Sequence, residues 1–152
     1  MSLQSWFKNG WLRKQEPNCR QIVQSLEASI RDVEASQHSQ LPLEWQFSIA
    51  YNAILQAATA ALSASGYRAS RDSPHYRILK SLSHTIGLPN STVDVLDKYR
   101  KKRHESVYEK VGAVSQNEAE SIIKLAQEIH ELVVEWMKRE HKEIAAEFSK
   151  KR

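Results

Sequence analysis

The residues with the most chemical capacity sit in one run, Asp97-Lys-Tyr-Arg100-Lys-Lys-Arg103-His104-Glu-Ser-Val-Tyr108. Just after Pro89 and Asn90, Ser91-Thr92-Val93-Asp94 reads as a capping box that starts a helix. At about 100° per residue, Val93, Leu96 and Val107 define the stripe that should face the interior. Arg100 falls in the middle of that stripe, Arg103 and His104 on its edges, and Tyr108 one turn beyond His104. Lys98, Lys102 and Glu105 point the opposite way, to solvent. A buried guanidinium without a counter-charge is very costly. The arginines must therefore line a cleft, meet carboxylates such as Asp97 or Glu44, or face a second subunit. As positive charge alone, Arg100-Lys-Lys-Arg103 could hold nucleic acid. It fits a localisation tag poorly, because its arginines and Lys102 point to opposite sides.

The elements that must position this run read as helices. Residues 3–12 form a short aromatic segment with Trp6, Phe7 and Trp11, expected to fold back over a helical core. Glu16-Pro17-Asn18 opens the first long helix, in which Ile22, Val23, Leu26, Ile30 and Val33 recur at helical spacing. A second begins at Leu41-Pro42 and runs into Ala57-Ala58-Thr-Ala60-Ala61-Leu62, whose small side chains let another helix approach closely. Gly66 is its expected C-cap. Tyr67-Arg68-Ala-Ser-Arg71-Asp reads as a polar link, and Ser73-Pro74 as N-cap and N1 of a third helix. After the run described above, Gly112 marks a turn. Ser115-Gln-Asn-Glu118 is a second capping box, launching a last helix through Ile122, Ala126, Ile129, Val133 and Met137. No alternating strand pattern appears. The expectation is all-α: an up-and-down bundle of about five helices, one domain over residues 1–152, with a frayed basic tail at 149–152.

Composition narrows the function classes. A net charge of +4 permits contact with phosphate without requiring it, since Glu and Lys alternate along much of the chain. The single Cys19 excludes an internal disulfide and a cysteine-built zinc site, and fits a reducing, cytoplasmic setting. No apolar run is long enough to cross a bilayer, so no membrane role is expected. The six histidines show neither a His-x-x-x-His pair nor the Glu-x-x-His of di-iron bundles, so no metal and no cofactor is expected. A glycine-rich phosphate loop and a nucleophile elbow are both missing.

The series Leu43-Glu-Trp-Gln-Phe-Ser-Ile-Ala50-Tyr51-Asn52-Ala53, then Ala61-Leu62 with Ser65-Gly66-Tyr67-Arg68, then His75, then Leu96 to His104 with Tyr108, resembles HEPN domains. The resemblance runs from about Trp6 to the last helix. It implies a helical domain that binds RNA or a nucleotide, in many members a metal-independent endoribonuclease and often the toxin of a toxin–antitoxin pair. It also implies a homodimer, or a nucleotidyltransferase-fold antitoxin as partner. Other members are inactive and serve as binding modules, and a purely structural role for the arginines stays open. The family's motif is an arginine, commonly a polar residue next, and a histidine after four to six intervening residues. Here Arg103 matches the arginine, His104 takes the polar position, and Tyr108 stands where the histidine belongs. The resemblance thus assigns Arg103, His104 and Tyr108 to catalysis, and Arg100, Arg103, Tyr51 and Arg68 to holding nucleic acid or nucleotide. In the full motif a ribose 2′-hydroxyl attacks the adjacent phosphate, histidine relays protons and arginine stabilises the charged phosphorane. A phenol, with an unperturbed pKa of about 10, is a poor base at neutral pH.

Overall fold

Asn18 sets the start of the first long helix by accepting the Gln21 N–H on its side-chain oxygen at 3.1 Å. The computed structural model describes residues 1–108 and 112–151; the side chains of residues 105–108 lie outside that description. The elements in order are α1 (Leu3–Lys8), β1 (Leu12–Lys14), α2 (Cys19–Ser36), α3 (Leu43–Ala64), β2 (Tyr67–Ala69), α4 (Pro74–Lys80), α5 (Leu82–Thr85), α6 (Asn90–Tyr108), α7 (Gln116–Glu140) and α8 (Lys142–Lys150).

The alanine run makes α3 the central helix. Ala50, Ala53, Ala57, Ala58, Ala60 and Ala61 are all 0% exposed, on several sides of the helix at once. Side chains this small let neighbours approach on every face, and α2, α4, α6 and α7 all pack against it. The α2–α3 hairpin is antiparallel and pinned by polar contacts. Ser29 Oγ donates to the Ala53 carbonyl at 2.9 Å, Asn52 Nδ2 to Asp32 at 2.7 Å, and Gln46 Nε2 to the His38 carbonyl at 2.7 Å. On the other side of α3, α7 presents Ile122, Ala126, Ile129, Val133 and Met137, each buried. Its start is the expected capping box, with Ser115 Oγ accepting the Glu118 N–H and Glu118 accepting the Ser115 N–H. Buried side chains such as Phe47, Ile54 and Ile122 each contribute about 1.5–3 kcal/mol by leaving water.

The fold is all-α in its main mass, as expected, with four corrections in detail. First, β1 and β2 pair antiparallel, Leu12 opposite Ala69, so the supposed polar link at Tyr67 is a strand. Three residues are too few to show an alternating pattern, and Gly66 (φ +93°) supplies the turn that aims the strand back. Second, the last helix breaks at His141 (φ −141°, ψ 63°), so that α8 can lay Ile144, Ala145 and Phe148 against α2. Ser149 and Lys150 continue α8. Third, α6 begins at Asn90, with the Thr92 and Val93 N–H groups donating to the Pro89 carbonyl. Ser91 is therefore inside the first turn rather than capping it. Fourth, Ser73 adopts a left-handed backbone (φ +49°) and makes no side-chain cap bond among the described residues. A capping side chain needs extended backbone to aim its oxygen at the next N–H groups, which this conformation denies.

The N-terminal aromatic segment does fold back. Trp6 is buried with Leu12 and Leu62, and Trp11 packs edge-on to it at 6.0 Å between centroids. Among the described residues, no helix is long and apolar enough to cross a membrane.

Candidate functional site

Val93 and Leu96 bury the first half of α6 against the core, and Tyr99 meets Phe47 of α3 edge-on at 5.6 Å. One turn later the inward stripe turns cationic. What it meets there is the junction of α3 with the short α4, and between the three helices lies a cleft of about 240 Å³. Tyr51 of α3, Ser73 to Tyr76 at the start of α4, and Arg100, Arg103 and His104 of α6 line it.

The cations are seated on aromatic rings. The Arg103 guanidinium lies 5.3 Å from the Tyr51 ring centroid, and that of Arg100 lies 5.4 Å from Tyr76. Arg100 also donates from Nε to Asp97 Oδ1 at 2.9 Å, while Lys101 reaches the other carboxylate oxygen at 3.4 Å. Burial alone would raise the Asp97 carboxyl, but the Arg100 hydrogen bond and the charges of Arg100 and Lys101 carry it below its usual value. Glu44, the other carboxylate considered for the arginines, instead accepts the N–H of Gly112.

Tyr51 and His75 form the centre of the cleft wall. Tyr51 Oη and His75 Nδ1 are 3.2 Å apart. Burial pushes the Tyr51 hydroxyl up to about 12, with Arg103 and Arg100 pulling the other way. Burial holds the His75 imidazole below its usual value, and Arg103 and Arg100 lower it further, so His75 is neutral at pH 7. A neutral imidazole can accept a proton, and here it stands beside two guanidinium groups.

The N-terminal segment fixes α4 from behind. Arg77, next in sequence to the cleft residue Tyr76, places its guanidinium 4.0 Å from the Trp11 ring centroid and 5.8 Å from that of Trp6. Trp6 also packs edge-on against His84 at 5.0 Å. The aromatic segment that the sequence folds back over the core thus anchors the wall that carries His75.

Of the expected site residues, Arg100, Arg103, His104 and Tyr51 come together at the cleft, with His104 exposed. Arg68 does not join them: it is exposed on β2, opposite Arg13. Tyr108 ends α6, and its side chain, like those of Glu105 and Val107, lies outside the described residues. Lys102 is not turned to solvent. It is only 27% exposed and reaches Glu118 at the start of α7 at 3.4 Å, because α7 flanks the side of α6 that a helical wheel treats as open. Ser73, His75 and Tyr76 line the cleft without having been named as site residues. The available signal was the Ser73-Pro74 helix start, which places a histidine in the first turn of a short helix. Among the described residues, no group of three or more His, Cys, Asp or Glu side chains could hold a metal ion.

No curated protein matches the chain. The family comparison is positive: residues 20–140 match the HEPN domain. That span takes in α2 to the last turn of α7, hence every helix that lines the cleft, and leaves out the aromatic segment that braces α4. Since it covers well over half of the 152 residues, the chain belongs to the HEPN family.

Proposed function

We propose that the cleft between α3, α4 and α6 binds the phosphate of RNA and that the protein is an endoribonuclease needing no metal ion. One observation carries this reading: Arg100 and Arg103 are seated over Tyr76 and Tyr51 at the walls of a cleft that also holds two imidazoles, His75 and His104. Guanidinium groups bind phosphate oxygens with charge-assisted, paired hydrogen bonds and stabilise the extra charge of a phosphorane. Imidazoles move protons near neutral pH. A cleft with these groups supplies what transesterification at a ribose phosphate requires.

The test is cleavage of a single-stranded RNA oligonucleotide with EDTA present, beside equilibrium binding of the same RNA. Cleavage by the wild type and its loss in Arg103→Ala is the expected result. A wild type that neither binds nor cuts RNA would sink the reading.

A second reading has its own support. Tyr108 stands where the family's motif has histidine, which favours a binding module that holds RNA, a nucleotide or a nucleotidyltransferase-fold partner without cutting. Binding that depends on Arg100 and Arg103, with no cleavage at any pH, is its signature.

A further inference from the structure

We propose that His75 is the general base of this cleft, with Tyr51 as the group that positions it. The inference rests on the ribonuclease reading above and goes beyond it, since the resemblance assigns catalysis to Arg103, His104 and Tyr108 on α6 and none to α4. Two of the six histidines line the cleft, His75 and His104. The others are committed or placed elsewhere. His130 is buried against Ser29 Oγ at 3.0 Å, His84 packs on Trp6, His141 packs on Trp136 at 4.8 Å, and His38 is exposed beyond the end of α2.

His75 is held in place from both sides. Its Nδ1 lies 3.2 Å from Tyr51 Oη, and Tyr51 is itself fixed in the core at 1% exposure. Pro74 at N1 sets the backbone just before His75, and Arg77 on Trp11 holds α4 in place. With Nδ1 engaged by Tyr51, Nε2 is the nitrogen left for a substrate. For Nε2 to accept a proton, Nδ1 must carry the hydrogen and donate it to Tyr51 Oη, which the distance allows.

The step balances. Nε2 takes the proton of the ribose 2′-hydroxyl as the 2′-oxygen bonds to phosphorus. The bond from phosphorus to the 5′-oxygen breaks, and that oxygen leaves as a hydroxyl with a proton from His104, which stands exposed at the cleft and is replenished from water. The products are a 2′,3′-cyclic phosphate and a 5′-hydroxyl. Arg100 and Arg103 hold the phosphate and take up its added charge. The groups facing His75 are Tyr51 from α3 and Arg100, Arg103, His104 and, through Arg100, Asp97 from α6. Burial first, and then the two arginines, disfavour the imidazolium and so keep the base ready at neutral pH.

The experiment compares wild type, His75→Ala, His75→Gln and Tyr51→Phe on an RNA oligonucleotide with EDTA. Binding is measured on the same sequence bearing 2′-O-methyl groups, which binds but has no 2′-hydroxyl to deprotonate. His75→Ala should cut about 100-fold more slowly, bind the 2′-O-methyl RNA within about threefold of wild type, and regain part of its rate with added imidazole. His75→Gln, which keeps a polar group at the site, should be equally slow. Tyr51→Phe should lower kcat by about tenfold with little change in KM, and move the acid limb of the pH profile, as expected for a positioning residue. Retained binding by His75→Ala, or by His75→Gln if the alanine variant folds poorly, separates lost chemistry from lost structure. Cleavage by either variant within about threefold of wild type overturns the proposal. A wild type that binds but does not cut overturns it while leaving the cleft as a binding site. A wild type that does neither overturns the reading beneath it as well.

Discussion

Among the described residues two histidine–hydroxyl pairs stand in opposite surroundings. In the α2–α3–α7 core, His130 Nδ1 lies 3.0 Å from Ser29 Oγ, which donates in turn to the Ala53 carbonyl at 2.9 Å. His130 is 5% exposed and Ser29 is fully buried, so this chain of bonds ties three helices together and opens onto nothing. At the α3–α4–α6 junction, His75 Nδ1 lies 3.2 Å from Tyr51 Oη, at almost the same separation. There the imidazole lines a cleft whose opposite wall carries Arg100 and Arg103. Closed burial makes such a pair a brace. Half-burial beside two guanidinium groups leaves a neutral imidazole facing an open cleft, the setting in which we propose it as a base.

The largest effect that would sharpen this contrast comes from Arg103→Ala. Removing the guanidinium over Tyr51 should lower cleavage by about 100-fold or more and leave the thermal midpoint close to wild type. His130→Ala should do the reverse. It removes a buried hydrogen bond and leaves a cavity, costing about 2–3 kcal/mol of stability, while cleavage per folded molecule stays at the wild-type level. The two are read by chemical denaturation and by RNA cleavage on the same preparations. Should His130→Ala lose activity without losing stability, the division between brace and base collapses.

A comparable loss of stability, without any polar group, is expected from the centre of α3. Ala57 and Ala61 are 0% exposed where neighbouring helices close in. Ala57→Leu or Ala61→Leu should destabilise by about 1–3 kcal/mol through overpacking. Midpoints unchanged in both variants would mean that the helices can separate there, and the core is then no firmer than the cleft.

The unequal legibility of the two regions has a physical basis. The core is written in local patterns: Asn18 as a cap, Ser115 with Glu118 as a capping box, and alanines that fill α3. Periodicity and capping act within a few residues, so one sequence exposes them. Half of the cleft was legible for the same reason, since Arg100, Arg103 and His104 break an apolar stripe on one helix. Of the other walls, Tyr51 was named from the resemblance and the α4 residues were not. His75 reaches the arginines only because α4 is set across α3 and α6, and nothing in its spacing to residue 100 encodes that. Lys102 shows the same limit from the other side. A helical wheel ranks directions but does not know which neighbour stands in each, and α7 occupies the side read as solvent.

The pH dependence of stability gives a smaller effect that bears on the same pair. The imidazoles of His75, His84 and His141 are each held below 6.5, chiefly by burial. As pH falls, the unfolded chain therefore binds these protons before the folded one does. Their effect is nil well above 6.5, and stability declines as pH drops from 6.5 towards the folded values. Asp97 and Glu118, held below 3.8 and 4.5, add a second loss only at more acidic pH. His75→Gln should flatten part of the first slope between pH 7 and 5 in thermal melts. An unchanged slope would show that His75 takes up its proton as easily folded as unfolded, contrary to a buried neutral base.

The smallest expected effect comes from Lys102→Ala, and it decides whether the cleft is a site or a charged surface. Lys102 is one residue from Arg103 and carries the same charge, yet it is turned towards α7. Its partner Glu118 lies 3.4 Å away, and the two side chains are 27% and 40% exposed. Such a solvent-screened pair contributes less than about 1 kcal/mol. Glu118 also keeps its bond from the Ser115 N–H at 2.9 Å, so the start of α7 survives the substitution. RNA affinity should fall no more than about twofold, and the loss should shrink as salt screens the long-range attraction. Arg103→Ala removes a group that lines the cleft itself, so its larger loss should persist across the same salt series. Binding isotherms for both variants at several salt concentrations make the comparison. Equal losses that vanish together in high salt would mean that charge density holds the RNA, and that the geometry around Tyr51 and His75 contributes nothing to its recognition.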